Sequence, residues 1–416
     1  MNIYILIPCI LISSLLQAQP LSMQESIDQA LLTHPDIKSF ELKIRRSKQS
    51  YRSEFSDYLP QINAQANYNP TETFALPVNG AFNTVDDDAW GAGVSLKQLI
   101  WDFKKTSSKV DASKFDEDIS TFSLKEAQAL LVYKVKSLYL DMILQEEAIK
   151  VRKKDLEAKE AFYAQSKALV AQGLKTNADA SRFLTSVYEA KDNLEIAHSF
   201  YDKAKVSLSL YMGEPLENDV ELENALIKQD YISNKNVEHE VLNSNYQLQI
   251  DNKNIQKNIL LQESAKASHY GSIDAYASYN HLDTLNSYDA TLVSFTLTVP
   301  LYSGGRVSAQ EQEAQISTQI AKQDQASSAL SLKEELSGLL IDIKRFDNTI
   351  AAKQAQIHSS NETKKVLEGR YKEGLTTYIE VLDAVSVVLN AELGLLQTYF
   401  SKSLAINRIE YLKGNL

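Results

Sequence analysis

The sequence predicts an α+β protomer assembled twice over, each copy placing two short strands ahead of a long antiparallel helical hairpin. Three observations predict it. Residues 173 to 213 and 374 to 414 align without a gap at an offset of 201, pairing Gly173 with Gly374, Leu174 with Leu375, Thr176 with Thr377, Asp179 with Glu380, Ala190 with Ala391, Ala204 with Ala405 and Gly213 with Gly414. From Lys105 to Gln172 the chain has no glycine or proline, which at about 1.5 Å per residue allows a helix of about 100 Å. Ahead of that run, and again ahead of its copy, hydrophobicity alternates with a period of two, the mark of strands.

Composition agrees. Only 13 glycines and 8 prolines punctuate 416 residues, far fewer turns than two or three ordinary globular domains need. A hydrophobic share of 44% with 23% charged residues excludes a disordered or fibrous chain and a polytopic inner-membrane protein. The net charge of −11 argues against a nucleic-acid partner.

Residues 1–18 read as a secretory signal peptide. Ile3 to Leu16 is almost wholly apolar and Gln17, Ala18 and Gln19 follow with a small residue at a cleavage point, although no Lys or Arg precedes the run. A buried N-terminal helix is the other reading, and fourteen residues with no polar face need a very large core to hide in. The one cysteine, Cys9, lies inside this segment, so the mature chain has no disulfide, thiol nucleophile or cysteine metal site.

The first repeat is placed at 19–213: a helix, strands at 59–69 and 89–101, and a coiled-coil hairpin over 105–213. Ile62, Ala64, Ala66 and Tyr68 alternate with polar residues, as do Trp90, Ala92, Val94 and Leu96. Asn69, Pro70, Pro77, Gly80 and Asp86 to Asp88 read as a long loop between them. A seven-residue register then runs through Met142, Ile149, Leu156, Tyr163 and Val170, turns at Gly173, and returns through Val187, Leu194, Tyr201 and Leu208. Residues 214–236 link the copies. The second repeat, 237–416, has a helix, strands at 271–281 and 289–301, and a hairpin over 305–414. Its seam ascends through Leu336, Ile343, Ile350 and Ile357 and returns through Val381, Val388 and Leu395, weakening at Lys364 and Lys402, where solvation or a pore-facing side would account for it.

Each strand runs for about ten residues with one apolar face, one Ser/Thr/Asn/Gln face, and aromatics near the ends (Tyr68, Trp90, Trp101, Tyr279, Tyr302). That is the pattern of a transmembrane β-barrel, with a soluble sandwich as the alternative. Four strands cannot close a barrel, and an open edge is not tolerated in lipid. If these strands lie in a membrane, several chains share the barrel.

At this point the chain resembles the TolC family of outer-membrane efflux and secretion ducts. Ala30, Leu31 and His34 to Ile37 resemble the family's N-terminal A-L-x-x-N-P-x-(I/L) entry, with His34 where Asn is usual. Val299 to Arg306 is similar to the strand-to-helix crossing P-(L/I)-F-x-G-G-x, whereas the first copy, Leu99 to Lys105, keeps the aromatic but lacks the glycines. Tyr371 to Leu375 with Glu380 to Ala384 resembles the turn of the family's second hairpin. The resemblance implies a homotrimer with a shared 12-stranded outer-membrane barrel and a coiled-coil periplasmic tube. It implies a passive exit duct of a diderm bacterium, serving a tripartite efflux or type I secretion system. Its partners would be outer-membrane lipid, a periplasmic adaptor (membrane fusion protein) and an inner-membrane RND, ABC or MFS transporter, with no cofactor. A secreted coiled-coil structural or adhesive protein is the competing reading; it gives no reason for an apolar face on all four strands.

The resemblance also assigns sites. Gly173, Leu174, Gly374 and Leu375 match the turns on which the adaptor docks. Glu380 and Asp383, three apart and so on one helical face, match the carboxylates that line the narrow pore entrance. Asp179 matches the acidic position of the first hairpin that helps tether the closed state to an Arg near the second turn. Thr376 stands at that Arg position here, so the closed state must be held otherwise.

Catalytic patterns are missing. Glu195 and His198 have the Glu-x-x-His spacing of di-iron bundles, but that chemistry needs a second such motif and no other His has a Glu three residues before it. Gly91 and Gly93 are followed by Leu96 where a third glycine belongs, and the sequence has no HExxH, GxSxG or P-loop. The sequence predicts a non-enzyme with neither metal nor cofactor.

Overall fold

The computed structural model describes residues 20–415 apart from 79–80, 218–219, 227–230 and 232–235. The proposed signal peptide therefore lies outside the described residues. In chain order the elements are α1 (Met23–Thr33), α2 (Pro35–Phe55), a 3-10 turn, β1 (Gln61–Val78), β2 (Ala81–Trp101), α3 (Lys105–Ala171) and α4 (Asn177–Met212). After the linker come α5 (Val237–Ser244), α6 (Tyr246–Ala267), β3 (Ser272–Asp283), β4 (Ser287–Thr298), α7 (Arg306–Lys372) and α8 (Tyr378–Leu412). The two uninterrupted stretches without proline become two helices of 67 residues each, α3 and α7.

The chain divides into two compact units, with the boundaries falling inside α2, α3, α5 and α7. One comprises 38–127 and 239–333 and holds the sheet. Its four strands lie in the order β1-β2-β3-β4, every neighbour antiparallel. The register aligns the apolar positions across strands: Ile62 faces Leu96, Ala64 faces Val94, Val94 faces Tyr279, and Ala277 faces Val293. Because the side-chain period is two, one face of the sheet is then mainly apolar, interrupted by Gln98 and by His281 with Asp289. Ile62, Val293 and Phe295 on it are each exposed by more than two thirds, an apolar patch of the kind that faces lipid or another protein. A register shift between Leu99 and Trp101 returns Trp101 to that face, opposite Ile273. The long loop expected after Asn69 is not one: β1 and β2 continue as a paired ribbon to Val78 and Ala81, with a shift between Asn69 and Glu72. Pro70 falls within that shift and Pro77 beside the last pair of the ribbon, positions where a missing N–H is accommodated.

In the same unit, α2, the start of α3 and α6 are laced by ion pairs: Lys109 with Glu54 at 2.7 Å, Lys253 with Asp118 at 2.8 Å and Lys257 with Asp116 at 2.6 Å. Burial, with Asp251 adding to it, raises the carboxyl pKa of Glu126.

The other unit comprises the described parts of 1–37, 128–238 and 334–416. Its core runs through Val135, Tyr139, Leu140, Met142 and Ile143 of α3, Leu208 of α4, and Ile409 and Leu412 of α8, all buried. Tyr139 pins the linker: its hydroxyl donates to the carbonyls of Leu21 (2.6 Å) and Glu223 (3.0 Å), beside a parallel bridge between Leu21 and Leu222. Burial raises this phenol to a pKa of about 12.

The expected seam holds at Met142, Ile149, Val187 and Leu208, which are buried, but drifts along α3. Beyond residue 150 the buried stripe is Asp155, Lys159, Phe162, Ser166 and Leu169, whereas Leu156, Tyr163 and Val170 are half-buried. The stripe kept its spacing of four and three but moved by one residue and takes in the polar Asp155, Lys159 and Ser166, where a hydrophobicity pattern cannot follow it. Asp155 and Lys159 offset each other's burial as an ion pair at 3.0 Å. Lys402 is likewise almost buried, paired with Asp347 of α7 at 2.9 Å, so an interhelical ion pair accounts for that interruption.

Candidate functional site: the two hairpin turns

The turns between α3 and α4 and between α7 and α8 are built alike. Gly173 has φ 73° and Gly374 has φ 74°, the left-handed conformation that ends a helix without steric cost only at glycine. In the first turn the Gly173 N–H donates to Val170 (2.9 Å) and the Leu174 N–H to Leu169 (3.0 Å). In the second the Gly374 N–H donates to Tyr371 (3.0 Å) and the Leu375 N–H to Arg370 (2.8 Å). Both are Schellman motifs, and a leucine follows the glycine in each. An apolar residue there commonly folds back onto its own helix. Leu174 and Leu375 are instead 63% and 67% exposed.

The returning helices open on capping boxes. Thr176 Oγ1 accepts from the Asp179 N–H (3.3 Å) while Asp179 Oδ2 accepts from the Thr176 N–H (3.0 Å). Thr377 and Glu380 repeat the arrangement at 3.4 and 3.0 Å. Asp179 and Glu380 therefore satisfy backbone N–H groups and complement the helix dipole, a task the T-x-x-D and T-x-x-E spacings already announce. Glu380 also accepts from the Thr376 hydroxyl. Asp383, one turn along α8, is exposed.

Beneath the turns lies an apolar cluster drawn from both hairpins: Phe162, Leu169 and Phe183 from the first, Tyr371, Val381 and Val385 from the second. Phe183 is its centre, stacked on Phe162 (5.9 Å) and edge-on to Tyr371 (5.5 Å) and Tyr378 (6.3 Å). Above it Lys175 crosses from one turn to the other. Its Nζ donates to the Thr376 carbonyl at 3.1 Å and lies 5.2 Å from the Tyr371 ring centroid. Sequence reasoning passed over Lys175, since a lone lysine in a turn carries no periodic signal.

Among the described residues, no group of three or more His, Cys, Asp or Glu side chains is placed to hold a metal ion. Glu195 and His198 lie on an open face of α4 with Asp202. Gly91 and Gly93 lie within β2, paired with Asn67 and Asn280. No described helix is long and apolar enough to cross a membrane.

A lipid-facing antiparallel sheet joined to duplicated helical hairpins defines an outer-membrane channel protomer, and the chain belongs to the outer membrane efflux protein family, whose model matches residues 26–214 and 239–413. It is a member of a family of passive outer-membrane channels rather than an enzyme, and its place is the outer membrane. Among its relatives are the probable outer membrane lipoprotein SilC of Salmonella typhimurium, 22% identical with 90% of this chain and 82% of SilC covered, and TolC of Escherichia coli K12, 23% identical with 91% and 79% covered. Solved channels share the fold. CusC superposes with a TM-score of 0.86 at 16% identity, covering 95% of this chain and 92% of CusC. The open state of Neisseria gonorrhoeae MtrE superposes with a TM-score of 0.80 at 18% identity, covering 94% and 89%. Membership of this family sets aside the secreted structural or adhesive protein.

Proposed function

We propose that three copies of this chain close one barrel of twelve strands, and that their helices form a periplasmic duct receiving substrates from an inner-membrane RND, ABC or MFS transporter through an adaptor. The observation that carries this reading is the sheet itself. Four strands with an exposed apolar face have two edges, β1 and β4, whose backbone groups need partners in lipid. A further copy supplies them at both edges without a new sequence.

In this reading Gly173, Leu174, Gly374 and Leu375 are the surface on which the adaptor docks, supported by the exposure of both leucines. Glu380, Asp383 and Asp179 line the pore entrance. Six carboxylates from Glu380 and Asp383 of three copies would favour cations there. The test is single-channel recording of the detergent-purified protein in planar bilayers, with its mass measured alongside. A trimer with cation-selective openings is expected, and the double substitution Glu380→Ala/Asp383→Ala should reduce the preference. A monomer without channels would overturn the duct, and unchanged selectivity in the double variant would overturn the entrance assignment.

A further inference from the structure

We propose that Lys97 of three copies forms a cationic ring inside the barrel, and that this ring draws small anions into a duct whose other charges favour cations. The inference rests on the reading of a barrel shared by three chains, and it adds the residue that sets which ions pass the membrane.

Lys97 is the one lysine or arginine of the four described strands. Its direction follows from the register. Leu96 pairs with Ile62 and Ala277 on the apolar face, and successive side chains alternate, so Lys97 stands on the opposite face. There it lies between Gln61 of β1 and Tyr276 of β3. In a closed barrel that face is the lumen, where a charge tunes selectivity, whereas on the lipid face a lysine is destabilising. Nor does Lys97 guard a sheet edge, a common use of lysine in strands, because β2 is an inner strand.

The ammonium is free to act on what passes. Lys97 is exposed, and among the described residues no carboxylate or hydrogen-bond partner engages it. The next row on the same face is neutral, Asn63 with Ser95 and Ser278. On the other side Asp274 follows, two positions along β3 from Tyr276. It is half-buried and accepts from the Ser272 hydroxyl at 2.8 Å rather than from Lys97. The remaining acids of the strands, Glu72, Asp86 to Asp88, Asp283 and Asp289, lie toward the far end of the sheet, while Lys97 lies near the end of β2 at Trp101. Three such ammonium groups around a water-filled bore form a charged ring of the kind that selects anions.

The test is the reversal potential of the full protein in planar bilayers under a potassium chloride gradient. Lys97→Gln should raise the cation-to-anion permeability ratio about threefold at low salt, the effect of about one kT of potential, while Lys97→Arg keeps the parental ratio. The difference should shrink at about 1 M salt, where the screening length falls to about 3 Å. Lys97→Cys gives a second measurement within one folded channel. A cationic methanethiosulfonate reagent should restore the parental ratio and an anionic one should raise it beyond that of Lys97→Gln. Parental channels whose ratio is unchanged in Lys97→Gln, or a Lys97→Cys channel that does not react from the aqueous phase, would overturn the ring and leave the duct standing. A parent that forms no channels would overturn the duct reading and the ring with it.

Discussion

The two copies solve the same turn from strand to helix with different residues. In the second, Gly304 and Gly305 take φ of 64° and 83°; in the first, Phe103 and Lys104 occupy the equivalent positions at 58° and 75°. The caps correspond as well: Asp102 Oδ2 accepts from the Thr106 N–H at 2.8 Å, and Ser303 Oγ accepts from the Val307 N–H at 3.4 Å. The fold demanded a left-handed pair in both places, and glycine was only the easier answer. A side chain in that region costs about 1–2 kcal/mol per residue. In the first copy Phe103 recovers part of it by packing on Trp101 (6.2 Å) and Tyr270 (5.5 Å), whereas Lys104 is exposed. A duplicated fold thus tolerates sequence divergence where neighbours can offset local strain.

The hairpin tips diverge in the opposite sense, since the turns are alike and the core beneath is not. Phe183 is the hub of the cluster, and its counterpart is Ala384. Phe183→Ala should therefore produce the largest effect, a loss of about 3–5 kcal/mol read by denaturant unfolding. Ala384→Gly, which removes a single methyl, should cost far less; equal losses would break the claim that the tip core is built on the first copy.

The crossings are expected to respond at an intermediate level. Gly305→Ala should destabilise by about 1–2 kcal/mol, because it adds a Cβ at positive φ. Lys104→Gly should be neutral or stabilising by up to about 1 kcal/mol, since relief of strain is partly offset by the extra freedom of the unfolded chain. A clear destabilisation by Lys104→Gly, measured by thermal unfolding in detergent, would show that Lys104 has a role the second copy lacks.

The smallest effect concerns Glu126, whose counterpart in the second copy is Ser327. Burial raises the folded-state pKa of Glu126 above its ordinary value. The folded protein therefore holds that proton more tightly than the unfolded chain, and stability falls as pH rises through the interval between the two pKa values. Glu126→Gln should raise the melting temperature slightly at neutral pH and leave it unchanged well below the ordinary Glu pKa. A gain that persists in acid would mean that packing, rather than charge, is responsible.

Much of this was legible beforehand. The repeat, the helix lengths, the strand faces and both glycine turns follow from local patterns: spacing of identical residues, stretches without breakers, and alternation by two. Where the reading failed, the deciding interaction was distant in sequence. The ribbon over 69–78 and 81–89 looked like a loop because its prolines and aspartates disfavour strands, yet pairing with the opposite strand outweighs that preference. The stripe of α3 was lost at Asp155 and Lys159 because charged residues are buried only when paired.

The candidate site divides along the same line. Gly173, Gly374 and the acidic residues three positions beyond Thr176 and Thr377 could be found from sequence, because a turn or a cap is made by neighbours within five residues. What the sequence by itself determined was therefore the architecture: a duplicated chain of long helices and of strands with one apolar face. Only the tertiary structure decided how the copies meet. It set Phe183 among aromatics of both hairpins and laid Lys175 across to Thr376, since contacts between segments two hundred residues apart depend on packing that no local pattern encodes.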